Sequence, residues 1–301
     1  MRENRVEVGI RNLLRSGKRF LRRGKQGARV MLSRHPPAKY IPPPVQPDYQ
    51  TAINNGRLSD AVFTCPIDRC VNLYGFPYGP GGWHPYVALL SRVRDGEDEA
   101  YEGSVLERYY AGWQPTNAGE ILMGDQPPSG LLVDVPPWAA YPPWMKGAQP
   151  AIIAMKIRVL EKENRIGGIH GLPLEVAFSG CGPVADEKGQ LEYRRLADVY
   201  KSISEIGYER VHGEITGVAL HRGPDYRVLV KDGNHRLAAL SVLGWQSAPI
   251  RLTQLEVVDV DDVDTWPQVQ QGIWDRESAL RYFDRLFDFD SNSWALERGL
   301  M

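Results

Sequence analysis

The densest concentration of chemistry-bearing side chains lies in Val228-Leu229-Val230-Lys231-Asp232-Gly233-Asn234-His235-Arg236-Leu237-Ala238-Ala239-Leu240. A hydrophobic run passes through a glycine straight into a helix-forming run, which predicts a strand, a tight turn and a helix N-terminus. Free backbone N–H groups and the positive end of the helix dipole then converge on one point, and that is an anion cradle. Gly233 and Asn234 let the main chain approach a phosphate, while His235 and Arg236 in the first helical turn can add charge-assisted hydrogen bonds. Asp232, at the strand end, suits a magnesium ion or the orientation of an attacking hydroxyl. The plainer reading is a helix entry in which Asp232 or Asn234 caps and Arg236 makes a surface ion pair.

Other chemistries find less support. There is no Gly-x-Ser-x-Gly elbow and no Walker A pattern, and His170, His212 and His221 are scattered without partner spacing. Three cysteines, Cys65, Cys70 and Cys181, cannot all pair within the chain and have no zinc-site spacing, so a reducing compartment is the expectation. Trp83, His84, Tyr109, Tyr110 and Trp113 could stack on a sugar or other acceptor; for any one of them a place in the core is the plainer role.

The chain of 301 residues is 43% hydrophobic and 24% charged, a globular composition that excludes collagen, global disorder and a disulfide scaffold. Its net charge of −1 conceals a division. Residues 1–40 carry twelve Lys and Arg against two acids, a charge of +10, and the remainder carries 24 against 35, a charge of −11. In the tail, Val6, Ile10, Leu13, Leu14, Phe20 and Leu21 recur at helical intervals between cations. Residues 1–34 thus suit an anionic membrane surface, and an arm on the acidic body or a nucleic-acid contact are the other readings. The acidic body repels polyanions, which argues against nucleic acid. No run approaches a membrane span and no secretory signal is evident, so the expected location is cytoplasmic, peripheral to the inner face of the membrane if the tail binds there.

Four segments follow from the punctuation. Residues 1–47 are the basic tail and a proline-rich linker; 48–150 form an aromatic- and proline-rich accessory, acceptor-binding region. Residues 151–260 hold the phosphate turn, and 261–301 are a helical end. Within them the pattern predicts loop over 76–85, a capping box at Ser104 to Glu107, and a proline-rich wall over 127–150. It predicts β-structure over 152–160, a helix over 191–206 ended by Gly207, and strands over 215–220 and 226–231. A helix over 235–243, a strand over 248–252, a further strand within 254–260 and a last amphipathic helix over 278–287 complete the expectation.

Leu196-x3-Tyr200-x-Ser202-Ile203-x3-Gly207, two strands, then Asp232-Gly233-Asn234-His235-Arg236-x2-Ala239-x3-Gly244 and Pro249-Ile250 resemble the nucleotide-binding domain of ParB partition proteins, sulfiredoxin and the free serine kinases. The resemblance covers roughly residues 172–255 and implies an α+β fold, with a ParB/sulfiredoxin-like α/β core behind an aromatic- and proline-rich N-terminal extension. Asn234 stands where sulfiredoxin needs cysteine, and residues 256–301 are too short and too acidic for ParB's DNA-reading and dimerisation segments. The serine-kinase variant, with its Asp-Gly-x-His-Arg, is nearest.

That likeness implies ATP, or another nucleotide, and magnesium in phosphoryl transfer to a hydroxyl of a small molecule or glycan, with a membrane-associated polysaccharide intermediate as one such acceptor. Gly233, Asn234, His235, Arg236 and Ser202 would hold the phosphates; Asp232 would serve the metal and, with Glu192 and His235, the chemistry. Glu192 is preferred to Glu187 as the second acid, and Arg194 and Arg195 are further phosphate candidates. Trp83, His84 and Tyr110 would bind the acceptor. A nucleotide-gated switch that phosphorylates no metabolite, and a DNA-associated ParB-like module, are the alternative functions.

Overall fold

The structure, a computed structural model, describes residues 42–124 and 131–301. The basic tail, with the membrane-surface reading attached to it, lies outside the described residues, as does part of the 127–150 connection.

Helices surround a mixed sheet of six strands, an α+β architecture. The strands are β1 (Val62–Pro66), β2 (Cys70–Val71), β3 (Ile215–Arg222), β4 (Asp225–Asp232), β5 (Ser247–Leu252) and β6 (Val258–Asp259). Their order is β1-β5-β3-β4-β2, with β6 paired to β3. β3 and β4 form an antiparallel hairpin, whereas β5 and β6 both lie parallel to β3, at its two ends. β1 runs antiparallel to β5, with Phe63 opposite Ile250, and β2 runs parallel to β4. The sheet therefore draws strands from both the 48–150 and the 151–260 segments. The hairpin register shifts between Thr216 and Gly217, where a β-carbon would meet the Leu229 carbonyl oxygen at 3.0 Å, so glycine permits the close strand approach.

The helices that shape the site are α1 (Tyr49–Asn54), α2 (Pro85–Arg94), α3 (Val105–Gly112), α4 (Ala118–Met123), α5 (Gln149–Ile166), α6 (Asp186–Ile206) and α7 (Asn234–Val242). A C-terminal group, α8 (Pro267–Gln270), α9 (Arg276–Asp288) and α10 (Ser291–Glu297), packs beneath. Ser104 Oγ accepts the Glu107 N–H at 3.3 Å to open α3, but the reciprocal arm differs from a capping box: Glu107 Oε2 accepts from Gly103 N–H. Ser104→Ala is expected to lower stability by about 1 kcal/mol in a denaturant titration, because this N–H then loses its partner.

Three expectations need correction. Residues 152–160 are not β-structure but the middle of α5: Pro150 sits in its first turn, and Ile152 and Leu160 are its buried apolar residues, eight positions apart on one face, with Asn164 buried one turn further on. The 254–260 strand shrinks to the two residues of β6. The helix expected over 278–287 is α9, but it is not the last, because Asp290 accepts the Ser293 N–H and starts α10.

α10 completes an aromatic core. Phe76 is fully buried, with the rings of Trp83, Tyr109, Trp113, Phe289 and Trp294 packed around it at centroid distances of 5.0 to 6.2 Å. A second cluster joins Trp144, Trp266, Tyr282 and Phe283. Together they fix the 76–85 loop and the 131–145 connection against the C-terminal helices, which leaves α5 and α6 to wall the space in front of the sheet.

Candidate functional site

β4 ends at Asp232, Gly233 takes the left-handed conformation at φ 87°, and α7 begins at Asn234. A side chain on Gly233 would be strained by that φ and would meet the Ile215 Cα at 2.9 Å, so the turn requires glycine. No side chain caps α7. Asp232 Oδ1 instead accepts from Gly233 N–H at 2.6 Å, and Asn234 Oδ1 accepts from the Tyr78 hydroxyl at 2.5 Å.

The turn opens into a cleft of about 940 Å³ lined by β4, α5, α6 and α7. Asp232, Gly233, Asn234, His235, Arg236, Glu192 and Ser202 all line it. At its centre is a charge cluster built on Glu192, whose side chain is 5% exposed. Glu192 Oε1 lies 2.6 Å from His235 Nε2 and accepts from the Tyr86 hydroxyl at 2.9 Å, and Oε2 is 3.9 Å from the ammonium of Lys188. Burial alone would raise the Glu192 carboxyl, but His235, Lys188 and Tyr86 outweigh it and hold the group well below the usual carboxylate range. Among the described residues His235 Nδ1 makes no hydrogen bond.

Arg236 is used differently from expectation. Its Nη2 donates to the Glu214 carbonyl at 3.1 Å and lies 3.7 Å from Asp232 Oδ1, while Nη1 reaches the His212 carbonyl at 3.5 Å. The guanidinium lies against Gly213 and holds the entry to β3, with the cleft along its edge. Asp232 is 77% exposed at the cleft mouth.

The expected acceptor trio is not assembled. Trp83 and Tyr110 face the aromatic core rather than the cleft: Trp83 packs on Phe76 and Trp294, and the Tyr110 hydroxyl donates to the Ser179 carbonyl at 3.2 Å. His84 lines the cleft but its ring is committed, since Nδ1 accepts the Tyr86 N–H to cap α2 and Nε2 pairs with the Asn72 amide. Burial drives its pKa down to about 3, so it is a neutral cap rather than a titrating group. Of the arginine candidates, Arg195 lines the cleft; Arg194 and Glu187 are exposed outside it.

Several cleft residues were not foreseen. Lys188 lies four positions before Glu192 on α6, a spacing that was available in the sequence. Lys156, Glu163 and Tyr86 come from elements whose approach no local pattern announces. Loss of hydration raises the Glu163 carboxyl against the pull of Lys188, and the carboxylates of Glu192 and Asp232 add to the rise.

Among the described residues no three His, Cys, Asp or Glu side chains come together to cage a metal ion. Magnesium needs no such cage when phosphate oxygens and water complete its octahedron. Asp232, accessible at the turn, has Oδ1 engaged by the Gly233 N–H and Arg236 and Oδ2 without a partner among the described residues, which fits that single-carboxylate role. No described helix is long and apolar enough to cross a membrane. No protein-family model matches the chain, and neither does any curated protein or solved structure compared with it.

Proposed function

We propose that the chain is a magnesium- and ATP-dependent phosphotransferase that acts on a hydroxyl of a small molecule or glycan. The observation that carries this reading is the convergence of an uncapped helix N-terminus, the left-handed Gly233 and His235, held by Glu192, on one cleft. Such a turn suits a phosphate chain, since its N–H groups and dipole favour negative charge. The resemblance of residues 172–255 to the free serine kinases supports the same choice of ligand. Phosphoryl transfer asks the protein chiefly for positioning and charge neutralisation. His235 would move a proton or hold the transferring phosphoryl group, Glu192 would orient the ring, and Asp232 would hold the magnesium ion that neutralises phosphate charge. Ser202, exposed on the α6 wall, is placed to touch the same ligand.

One observation favours a second reading, a nucleotide-gated switch. Glu192 is engaged by Tyr86, His235 and Lys188 and its proton affinity is low, so it is a poor base for an acceptor hydroxyl.

A thermal-shift screen tests nucleotide binding. A purine triphosphate with magnesium at a hundredfold excess over its Kd should raise stability by about 2.7 kcal/mol. Arg236→Ala should lose most of that increment. The readout is the increment rather than the midpoint itself, because loss of the bonds to the His212 and Glu214 carbonyls lowers the unliganded midpoint too. Acceptor-dependent ADP release then separates transferase from switch.

A further inference from the structure

We propose that Lys156 and Lys231 form a second anion subsite, seating a phosphate dianion between α5 and the end of β4. This deepens the proposed function and rests on it for the premise that the cleft takes a phosphate-bearing ligand.

The geometry is that of two walls. Lys156 lies on α5 between its buried positions Ile152 and Leu160, and Lys231 is the penultimate residue of β4; both line the cleft. Among the described residues neither ammonium has a hydrogen-bond or ion-pair partner. The other cations of the cleft are engaged: Lys188 and His235 with Glu192, Arg195 with the Glu163 carbonyl, Arg236 with two carbonyls, and His212 with Glu209. Two like charges that repel each other beside unmatched space are an unfavourable arrangement for the protein alone. A doubly charged anion between them removes both the repulsion and the missing hydrogen bonds.

The electrostatics agree. Loss of hydration lowers Lys156, and the charge of Lys231 lowers it further, to about 8, with Glu163 opposing the fall. The other charged or titratable groups around the space are Lys188, Glu192, Arg195 and Asp198 from α6, Glu209 and His212 from the segment after it, Asp232 from β4, and His235 and Arg236 from α7. An arriving dianion returns Lys156 toward its ordinary 10.5, so the complex binds a proton that the free protein has partly lost at pH 8. Below that value Lys156 is charged in both states and affinity is full; above it, affinity falls with pH until the raised pKa of the complex is reached.

The dianion can belong to the donor's phosphate chain or to a phosphorylated acceptor. Inorganic pyrophosphate is the probe, titrated calorimetrically into the full chain in two buffers of different ionisation enthalpy at pH 8 and about two units lower. Binding with net proton uptake at the higher pH and none at the lower is expected. Lys156→Met and Lys231→Met should each weaken it about 10- to 100-fold, whereas Arg158→Met, exposed on the same helix, should not. Circular dichroism of each variant establishes that it is folded. Absence of binding to the wild type, binding without proton uptake at pH 8, or wild-type affinity in either folded lysine variant would overturn the subsite.

ATP identifies the source: displacement of pyrophosphate assigns the subsite to the donor, and simultaneous binding assigns it to a phosphorylated acceptor. The two proposals fail separately. Lysine-dependent pyrophosphate binding with no ATP binding removes the nucleotide reading and leaves the subsite. ATP binding that Arg236→Ala weakens, with pyrophosphate indifferent to both lysines, does the reverse.

Discussion

Glu192→Ala is expected to destabilise the protein by about 3–5 kcal/mol, measured as a lower denaturant midpoint at neutral pH. Among the described residues the carboxylate is the one acidic side chain bonded to His235, and it is the partner of Lys188, whose side chain is 1% exposed. Removing it leaves a buried ammonium with no ion-pair partner among the described residues, only the pull of Glu163, and leaves the Tyr86 hydroxyl with only the Ser179 carbonyl at 3.5 Å. The loss then comes from uncompensated desolvation more than from the missing attraction. That diagnosis makes its own demand. Adding Lys188→Met to Glu192→Leu should recover most of the stability, since an apolar pair of similar volume does not need a partner. A single Glu192→Ala variant within about 1 kcal/mol of the wild type would show that the cluster is hydrated and that its charges are not held by one another.

The same cluster sets an acid limb. Ionised Glu192 is stabilised in the fold, so its contribution is fully present above its ordinary value of 4.5 and is lost as the pH falls from there toward the depressed folded value. Glu163 acts with the opposite sign. Its folded pKa is raised from 4.5, so the ionised form is the less favourable one in the cleft and protonation relieves it.

How much of this was legible depended on how local each feature is. Asp232 to Arg236 could be read because strand end, left-handed glycine and helix start are consecutive and each residue type serves its own backbone position. Glu192 could be read as a cleft residue because α6 carries it on a regular helical face, though the sequence suggested a base and the contacts make it an anchor for His235. α5 was misread as β-structure because Ile152 and Ile153 favour strands and no side chain caps the helix at Ala148, so its strongest local start signal was absent. The pairing of β1 with β5 joins residues far apart in the chain, and nothing in either run specifies the other. Trp83 and Tyr110 illustrate the limit for aromatics. The side chain that stacks on a sugar is the same one that packs against Phe76, and only the arrival of α10 decides between them.

His235→Gln gives the sharpest separation between transferase and switch, with an expected loss of 10²- to 10⁴-fold in acceptor-dependent ADP release, the range of general acid–base catalysis. Glu192 fixes the ring through Nε2 at 2.6 Å and His235 lines the cleft, the arrangement by which a buried carboxylate orients an imidazole for proton transfer. Glutamine can keep a hydrogen bond to Glu192 but cannot take a proton, so the fold and the phosphate turn should persist. Nucleotide affinity, carried by the turn and its cations, should therefore change far less than turnover. Glu192→Gln offers the complementary test, because it retains shape at Oε1 while removing the carboxylate charge beside the ring. It should lower turnover without abolishing binding. Equal turnover in wild type and His235→Gln would take the imidazole out of the chemistry. If both instead bind nucleotide and neither releases ADP in response to any hydroxyl acceptor, the cleft is a sensor whose charged centre reports occupancy through α6.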